Sequence, residues 1–231
     1  MRIAVVENMK ETPLGLVGRA LDDAQADVTI YRPYLDGVLP SLTDHDGLIV
    51  MGGEQNALDD AAHPYLPDLA GRMLDFGHAA KAVLGICLGS QLLARAHGGE
   101  NRVGGHREFG WVEIEATPEG LADPFLSAAG TAFAAFQWHD DSFALPPQAV
   151  HLARSGTVAH QAYRIGRASY GTQFHFEVSG AVVNHWAETL PQSMDAMHPG
   201  WREERAAHIA AHGARADASG LALARAWLAL V

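Results

Sequence analysis

Short apolar runs alternate with amphipathic stretches through the first hundred residues of the chain. Four runs predict buried strands, and their sequences are RIAVVEN, DVTIYRP, DGLIVMG and AVLGIC. In three other segments, around 14–24, 67–79 and 89–97, apolar residues recur at helical spacing and predict helices. We therefore predict an α/β fold with a doubly wound, mostly parallel sheet flanked by helices. Because ligands of such sheets bind beyond the carboxyl ends of the strands, we expect the functional site there.

The second half of the chain is richer in strand patterns, and its end is helical. Strands are predicted at GWVEIEAT, AFAAFQW and AVHLARS, and a hairpin turning at Gly166 is predicted in AYRIGRASYGTQFHFE. The last piece, ASGLALARAWLALV, is amphipathic, and we expect it to cover the core of its own domain rather than a partner. We predict one domain over residues 1–190 and a helical C-terminal extension over residues 191–231, packed on the same domain.

Composition and charge exclude several classes of function. The 231 residues carry a formal net charge of -11 without a basic cluster, which argues against binding to nucleic acid or to an anionic membrane. The amino terminus does not resemble a signal peptide, and no apolar run is long enough to span a bilayer. A single cysteine fits a reducing compartment, so we expect a cytoplasmic protein. His208 and His212 lie four apart on a predicted helix; without a further ligand nearby, they predict a solvated face and not a metal site.

The segment KAVLGICLGSQLLARAHGG, residues 81–99, places Cys87 between a predicted strand and a predicted helix. Gly85 and Gly89 flank the cysteine at two residues on either side, as a tight strand–turn–helix requires. The positive end of the helix would stabilise a thiolate, and a thiolate is a nucleophile. A lone cysteine after an apolar strand is more often a small buried hydrophobe. The flanking glycines favour the nucleophile, because a packing cysteine needs no such turn.

A second segment, SYGTQFHFEVS at residues 169–179, has the alternation of a strand. His175 and Glu177 are two residues apart and would leave the same face of that strand. A carboxylate in that position can orient an imidazole and stabilise its protonated form. A solvent-facing pair is the commoner cause of this pattern, but together with Cys87 the pair predicts a nucleophile, a base and an orienting group. His139, followed by Asp140 and Asp141, remains an alternative base.

These motifs together resemble the class I glutamine amidotransferase family. The resemblance is carried by GICLGSQ (85–91), QFHFE (173–177), DGLIVMGG (46–53), FGWVEIEAT (109–117) and FQWHDDSFALPP (136–147), and it extends over residues 1–190. Within the family, the chain is similar to stand-alone proteins that match the glutaminase domain of GMP synthase. The resemblance implies a catalytic triad of Cys87, His175 and Glu177 that releases ammonia from the glutamine side-chain amide through a thioester.

The resemblance also implies further site residues. Gly53, in the loop after the third predicted strand, and the backbone N–H of Leu88 are expected to form the oxyanion hole. Residues expected to bind the substrate are Gly52, Gln91, Trp138 and His139, although ordinary helix polarity for Gln91 and ordinary packing for Trp138 are equal competitors. No cofactor and no metal ion are implied.

Two positions depart from the family pattern, and several alternatives stay open. Phe176 and Glu54 stand where the family usually has proline, and we expect both to reshape the mouth of the pocket. The same triad would serve a hydrolase of another γ-glutamyl amide or peptide, whereas an inactive regulatory relative would be expected to lose a triad residue. The related heat-shock and deglycase-like proteins have a histidine directly after the cysteine of the strand–turn–helix. This chain has Leu88 there, which argues against membership of that group.

The sequence has neither G-x-x-x-x-G-K-[ST] nor S-G-G-x-D-S, so it shows no nucleotide-binding loop of either kind. Ammonia would therefore either pass to a separate synthase subunit or be released by simple hydrolysis of a small-molecule substrate. The oligomeric state is left open by the sequence.

Overall fold

The computed structural model describes all residues from 1 to 231. Its strands are β1 (Arg2–Val6), β2 (Asp27–Tyr31), β3 (Gly47–Val50), β4 (Ala82–Ile86), β5 (Asn101–Arg102), β6 (Glu108–Ala116), β7 (Ala132–His139), β8 (Ser142–Phe143), β9 (Val150–Arg154), β10 (Ala162–Ile165) and β11 (Ser169–Thr172). Nine of them form a central sheet in the order β2-β1-β3-β4-β11-β10-β9-β6-β7, and β5 and β8 pair separately.

The central sheet has a parallel part and an antiparallel part. The strands β2, β1, β3, β4 and β11 are parallel to their neighbours within this set, and helical crossovers connect the first four. The strands β10, β9, β6 and β7 continue the sheet with antiparallel pairing. A tight turn with Gly166 at φ +57° joins β10 to β11, as the sequence predicted. The predicted α/β fold with a mostly parallel core is thus confirmed.

Helices cover both faces of the sheet. They are α1 (Gly15–Asp23), α2 (Pro33–Asp36), α3 (Leu66–His78), α4 (Leu88–Ala96), α5 (Pro118–Ala122), α6 (Gly180–Thr189), α7 (Pro191–Met197), α8 (Trp201–His208) and α9 (Ala214–Leu228). A 3₁₀ turn spans Leu126–Ala129, and a π-helical turn, Ile209–Gly213, joins α8 to α9.

Alternate residues of the parallel strands enter two separate cores, as the period of a strand requires. In β1, Ile3 and Val5 contact the core beneath α1 and α9, whereas Ala4 and Val6 contact the core beneath α3 and α4. The amphipathic helix α9 lies on α1 and the sheet, and Trp227 is 1% exposed there. The division of the chain at residue 190 stays a prediction.

One predicted strand is shorter than expected. The alternation through SYGTQFHFEVS predicted a strand that carries His175 and Glu177, but β11 ends at Thr172. Its neighbour β4 ends at Ile86, where the chain turns into α4, so no parallel partner remains beyond Thr172. The chain then bends, and His175 keeps a single bridge to Phe136 of β7. His175 and Glu177 therefore lie in the loop after the strand.

The helical tail differs from the sequence expectation in one respect. His208 is half-buried and stacks on Trp201 with ring centroids 4.9 Å apart, and His212 stacks on Trp111 at 6.2 Å. The predicted solvated face is only partly exposed, because an aromatic cluster beside β6 and β7 gives both imidazoles a packing surface. None of the helices has the length and apolar character needed to cross a bilayer.

Candidate active site

Cys87 lies where β4 ends and α4 begins, at the carboxyl edge of the parallel strands. Its backbone has φ +52° and ψ −109°, a conformation that is uncommon for a residue with a Cβ and persists only where surrounding structure enforces it. The backbone N–H of Cys87 donates to the carbonyl of Thr172 on β11 at 2.8 Å, which anchors the turn to the sheet. The residue is 6% exposed and lines a cavity at this edge of the sheet.

The glycines on either side of Cys87 permit close backbone contacts. A Cβ on Gly85 would collide with the backbone of Gly89 one turn into α4. A Cβ on Gly89 would collide with the carbonyl group of Val50 at the end of β3. Glycine is therefore required at both positions for α4 to start directly against β3 and β4.

Gly89→Ala is expected to lower the free energy of unfolding by about 1–3 kcal/mol, because its methyl group must displace backbone at Val50. The matched control is Gly71→Ala in α3, where a Cβ meets nothing within 4 Å. There the change should stabilise the helix by about 0.5–1 kcal/mol. Urea unfolding of both variants measures the difference, and equal stability of the two would contradict this account of the elbow.

His175 and Glu177 form a buried pair beside the cysteine. Nδ1 of His175 lies 2.6 Å from Oε1 of Glu177, and the two residues are 7% and 1% exposed. The backbone of Glu177 is anchored to helix α1, because the backbone N–H of Leu16 donates to the carbonyl of Glu177 at 2.9 Å. The pair thus keeps its geometry although it lies outside regular secondary structure.

Two opposing effects act on the His175 imidazole. Burial alone would lower its pKa, but the charges of Glu177 and Cys87 and the hydrogen bonds to both outweigh burial and raise the pKa above the usual histidine value. The protonated form of the ring is therefore favoured beside Glu177 and Cys87. Such an arrangement suits a group that must give a proton to a leaving nitrogen.

Gln173 is a residue of the site to which the sequence had assigned no role. It is fully buried, and its side-chain Nε2 donates to Sγ of Cys87 at 3.5 Å. Its Oε1 accepts from Nε2 of Gln91 at 3.1 Å. Gln91, predicted to bind substrate, is 3% exposed and its amide nitrogen is already engaged. The signal for Gln173 was its place as the first residue of QFHFE.

His139 also reaches the cavity, but both of its ring nitrogens are engaged. Nε2 lies 3.0 Å from Oε2 of Glu108, and Nδ1 lies 2.9 Å from the carbonyl oxygen of Asp141. Burial would raise the pKa of Glu108, yet hydrogen bonds from His139, Ser155 and Thr157 outweigh burial and lower it. His139 is thus held in place by a buried carboxylate and a backbone carbonyl, and both ring nitrogens are engaged within the protein.

The cavity has a volume of about 450 Å³ and brings most of the predicted site residues together. The predicted residues that line it are Cys87, His175, Gly52, Gly53, Leu88, Gln91, Trp138 and His139. Glu177 is not on its surface and lies behind His175. Sequence reasoning missed a whole wall of this cavity, which comes from the helical tail: Trp186, Leu190, Ser193, Ala196 and Met197.

The loop after β3 lies against the reactive side chains. A Cβ at Gly52 would lie 3.0 Å from Cε1 of His175 and 3.5 Å from Cβ of Cys87. The backbone N–H of Gly53 donates no hydrogen bond within the protein. That of Leu88 belongs to the first residue of α4, outside the intrahelical ladder. Both residues line the cavity, and their role as an oxyanion hole stays a prediction.

The two departures from the family pattern lie in different places. Phe176 is 3% exposed and packs edge-on against Phe125 and Phe174 in the core beneath α9, so it does not reshape the pocket mouth as predicted. The apolar ring is buried because it points away from the cavity, on the side of the loop opposite His175. Glu54 is exposed and lines the cavity.

The fold and the cavity define an α/β protein with a cysteine elbow and a nearby histidine–glutamate pair. The family model described as "Glutamine amidotransferase class-I" matches residues 11–185. The chain belongs to the class-I glutamine amidotransferase family.

Three similar proteins show how far this likeness reaches. The glutamine amidotransferase-like protein YfeJ of Salmonella typhimurium is 31% identical over 187 residues, which cover 79% of this chain and 78% of that protein. One of the subunits of the glutamine-hydrolyzing GMP synthase of Methanosarcina acetivorans is 32% identical over 182 residues, which cover 78% of this chain and 88% of that subunit. The crystal structure of a glutamine amidotransferase from Methylobacillus flagellatus is 27% identical, has a TM-score of 0.85, and covers 100% of this chain and 95% of that one.

Proposed function

We propose that this protein hydrolyses the side-chain amide of glutamine to glutamate and ammonia through a thioester on Cys87. The observation that carries the proposal is the buried His175–Glu177 pair, 2.6 Å apart, beside the only cysteine of the chain, which lines the same cavity as His175. A nucleophile, a proton-transferring imidazole and an orienting carboxylate are the groups that acyl transfer requires.

In the first half of the reaction, the thiolate of Cys87 attacks the amide carbon and forms a C–S bond. The carbonyl oxygen becomes an oxyanion, which the N–H groups of Gly53 and Leu88 stabilise. His175 then gives its proton to the nitrogen, the C–N bond breaks, and ammonia leaves.

In the second half, neutral His175 takes a proton from water while the water oxygen attacks the thioester carbon. The C–S bond breaks, Cys87 returns as a thiolate, and His175 is protonated again. Glu177 holds the imidazole in one tautomer through both halves. Gln173 restrains the sulfur atom by its hydrogen bond and keeps the attack geometry.

We further propose that ammonia can pass to a separate synthase chain. The support is the likeness to a protein that is named as one of the subunits of a glutamine-hydrolyzing GMP synthase. Gly52 and Gly53 allow the loop backbone to change conformation when a partner binds. In one state a backbone N–H of the loop points at the oxyanion, and in the other it points away. In this structure Asn8 restrains the start of the loop, because its Nδ2 donates to the carbonyl of Met51 at 2.8 Å.

The test is steady-state ammonia release from glutamine by the purified chain. We expect slow but saturable turnover without a partner, because no partner is present to favour the loop state in which its N–H groups face the oxyanion. Absence of any amide hydrolysis, from glutamine or from γ-glutamyl amides, would reject the proposed function. Fast glutamine turnover by the chain alone would retain the hydrolase and reject dependence on a partner.

A further inference from the structure

The cavity is larger than free glutamine needs. Its volume of about 450 Å³ falls within the ~300–1,000 Å³ typical of pockets for drug-sized molecules. Eight of its 21 lining residues are hydrophobic. Glutamine has a charged end and a polar amide, so it offers these hydrophobic residues no large apolar group to pack against.

The extra space is bounded by residues that follow the part of the chain matched by the family model. That match ends at residue 185, and the wall begins at Trp186 and continues through Leu190 to Met197 at the end of α7. This wall, called the α7 wall below, is fixed in place by burial and by a hydrogen bond. Met194 of α7 is fully buried, and Arg107 donates to the carbonyl of Ala196 at 3.3 Å.

The wall lies where a substituent on the leaving nitrogen would be. His175 must be adjacent to that nitrogen in order to protonate it. The ring of His175 is edge-on to Trp186 with centroids 5.9 Å apart, and Trp186 is edge-on to Trp138 at 5.2 Å. A group carried on the nitrogen would therefore contact the two tryptophans and the α7 wall.

The charges around the cavity restrict that group further. The lining has four carboxylates but a single guanidinium, that of Arg107, which is paired with Asp140 at 3.0 Å. A leaving group with its own carboxylate would meet net negative charge and is disfavoured. The apolar wall and this charge together select a neutral or cationic amine with an apolar body.

We propose that this site cleaves γ-glutamyl amides whose nitrogen carries an apolar or aromatic group, a proposal that rests on the proposed function. The Cys87 thiolate forms the thioester, the C–N bond breaks, and the amine leaves with the proton of His175. Water then releases glutamate, so the net reaction consumes one water and needs no further reactant. The α7 wall acts on specificity and takes no part in the bond changes.

The test compares kcat/KM of the purified chain for γ-glutamyl-phenethylamide, γ-glutamylglycine and glutamine, with the released amine or ammonia measured directly. We expect the phenethylamide to be preferred over γ-glutamylglycine by at least about ten-fold, the discrimination that a few buried methylenes provide. Hydrolysis of glutamine without cleavage of the phenethylamide would overturn this substrate class and leave the proposed function standing. Loss of all amide hydrolysis would instead reject the function itself.

The wall is tested by Met197→Glu, with Gln192→Glu as the matched control. Gln192 is exposed on the same helix, does not line the cavity, and receives the same added charge. We expect Met197→Glu to lower the phenethylamide-to-glutamine ratio of kcat/KM by about ten-fold and the control to leave it unchanged. If Met197→Glu does not fold, Ala196→Glu at an exposed position on the wall replaces it. An unchanged ratio in the folded wall variant would contradict the proposal.

Discussion

Cys87→Ala is expected to reduce amide hydrolysis by at least about 10⁴-fold, since no other side chain in the cavity can form the thioester. The chain contains no second thiol that could substitute. The measurement is ammonia or amine release at saturating substrate, with circular dichroism to verify the fold. Because the side chain is small and only its sulfur is lost, the variant should remain folded.

A labelling experiment gives an independent measure of the same role. A thiol-directed inhibitor with the shape of glutamine should add once to the native protein, at Cys87, and should not add to Cys87→Ala. Retention of most activity in a well-folded Cys87→Ala protein would contradict the mechanism, whatever the labelling result.

His175→Ala is expected to lower kcat/KM by about 10²–10⁴-fold, the usual contribution of a positioned acid–base group. Glu177→Ala should cost less, because an orienting group contributes less than the base that it orients. The two effects should not add in the double variant, since Glu177 acts through His175 over the 2.6 Å contact. Steady-state kinetics of the three variants test this order.

The matched control for this prediction is the second histidine of the cavity. In His139→Ala we expect a smaller rate effect and a loss of stability, because Glu108 would keep a buried charge with one partner fewer. If His139→Ala abolished activity and His175→Ala were nearly silent, the base would have been assigned to the wrong histidine.

The α7 wall is the part of the cavity that lies beyond the residues matched by the family model. The sequence predicted residues 191–231 as an extension packed on the domain, and that division stays a prediction. The structure adds that Ser193, Ala196 and Met197 of this extension line the same cavity as Cys87. We propose that residues 1–190 carry the chemistry, and that these residues of α7 together with Trp138 and Trp186 set the specificity.

The sequence by itself determined the features that depend on neighbouring residues. The strands β1, β3 and β4 follow from their continuous apolar runs, and the elbow follows from glycines two residues from Cys87. Both depend on local rules, namely side-chain periodicity and backbone sterics, which act within a few residues. The family resemblance rests on the same short motifs, and the family match over residues 11–185 confirms it.

Only the tertiary structure decided the contacts between distant segments. Gln173 reaches Cys87 across 86 positions, Glu108 reaches His139 across 31, and no periodicity encodes either distance. The sequence also did not indicate that β11 ends at Thr172. A strand ends where its hydrogen-bonded neighbour turns away, even if its own alternation of residues continues. Packing places α7 on the same cavity as a cysteine about a hundred residues earlier, so the shape of the pocket belongs to the fold and not to any motif.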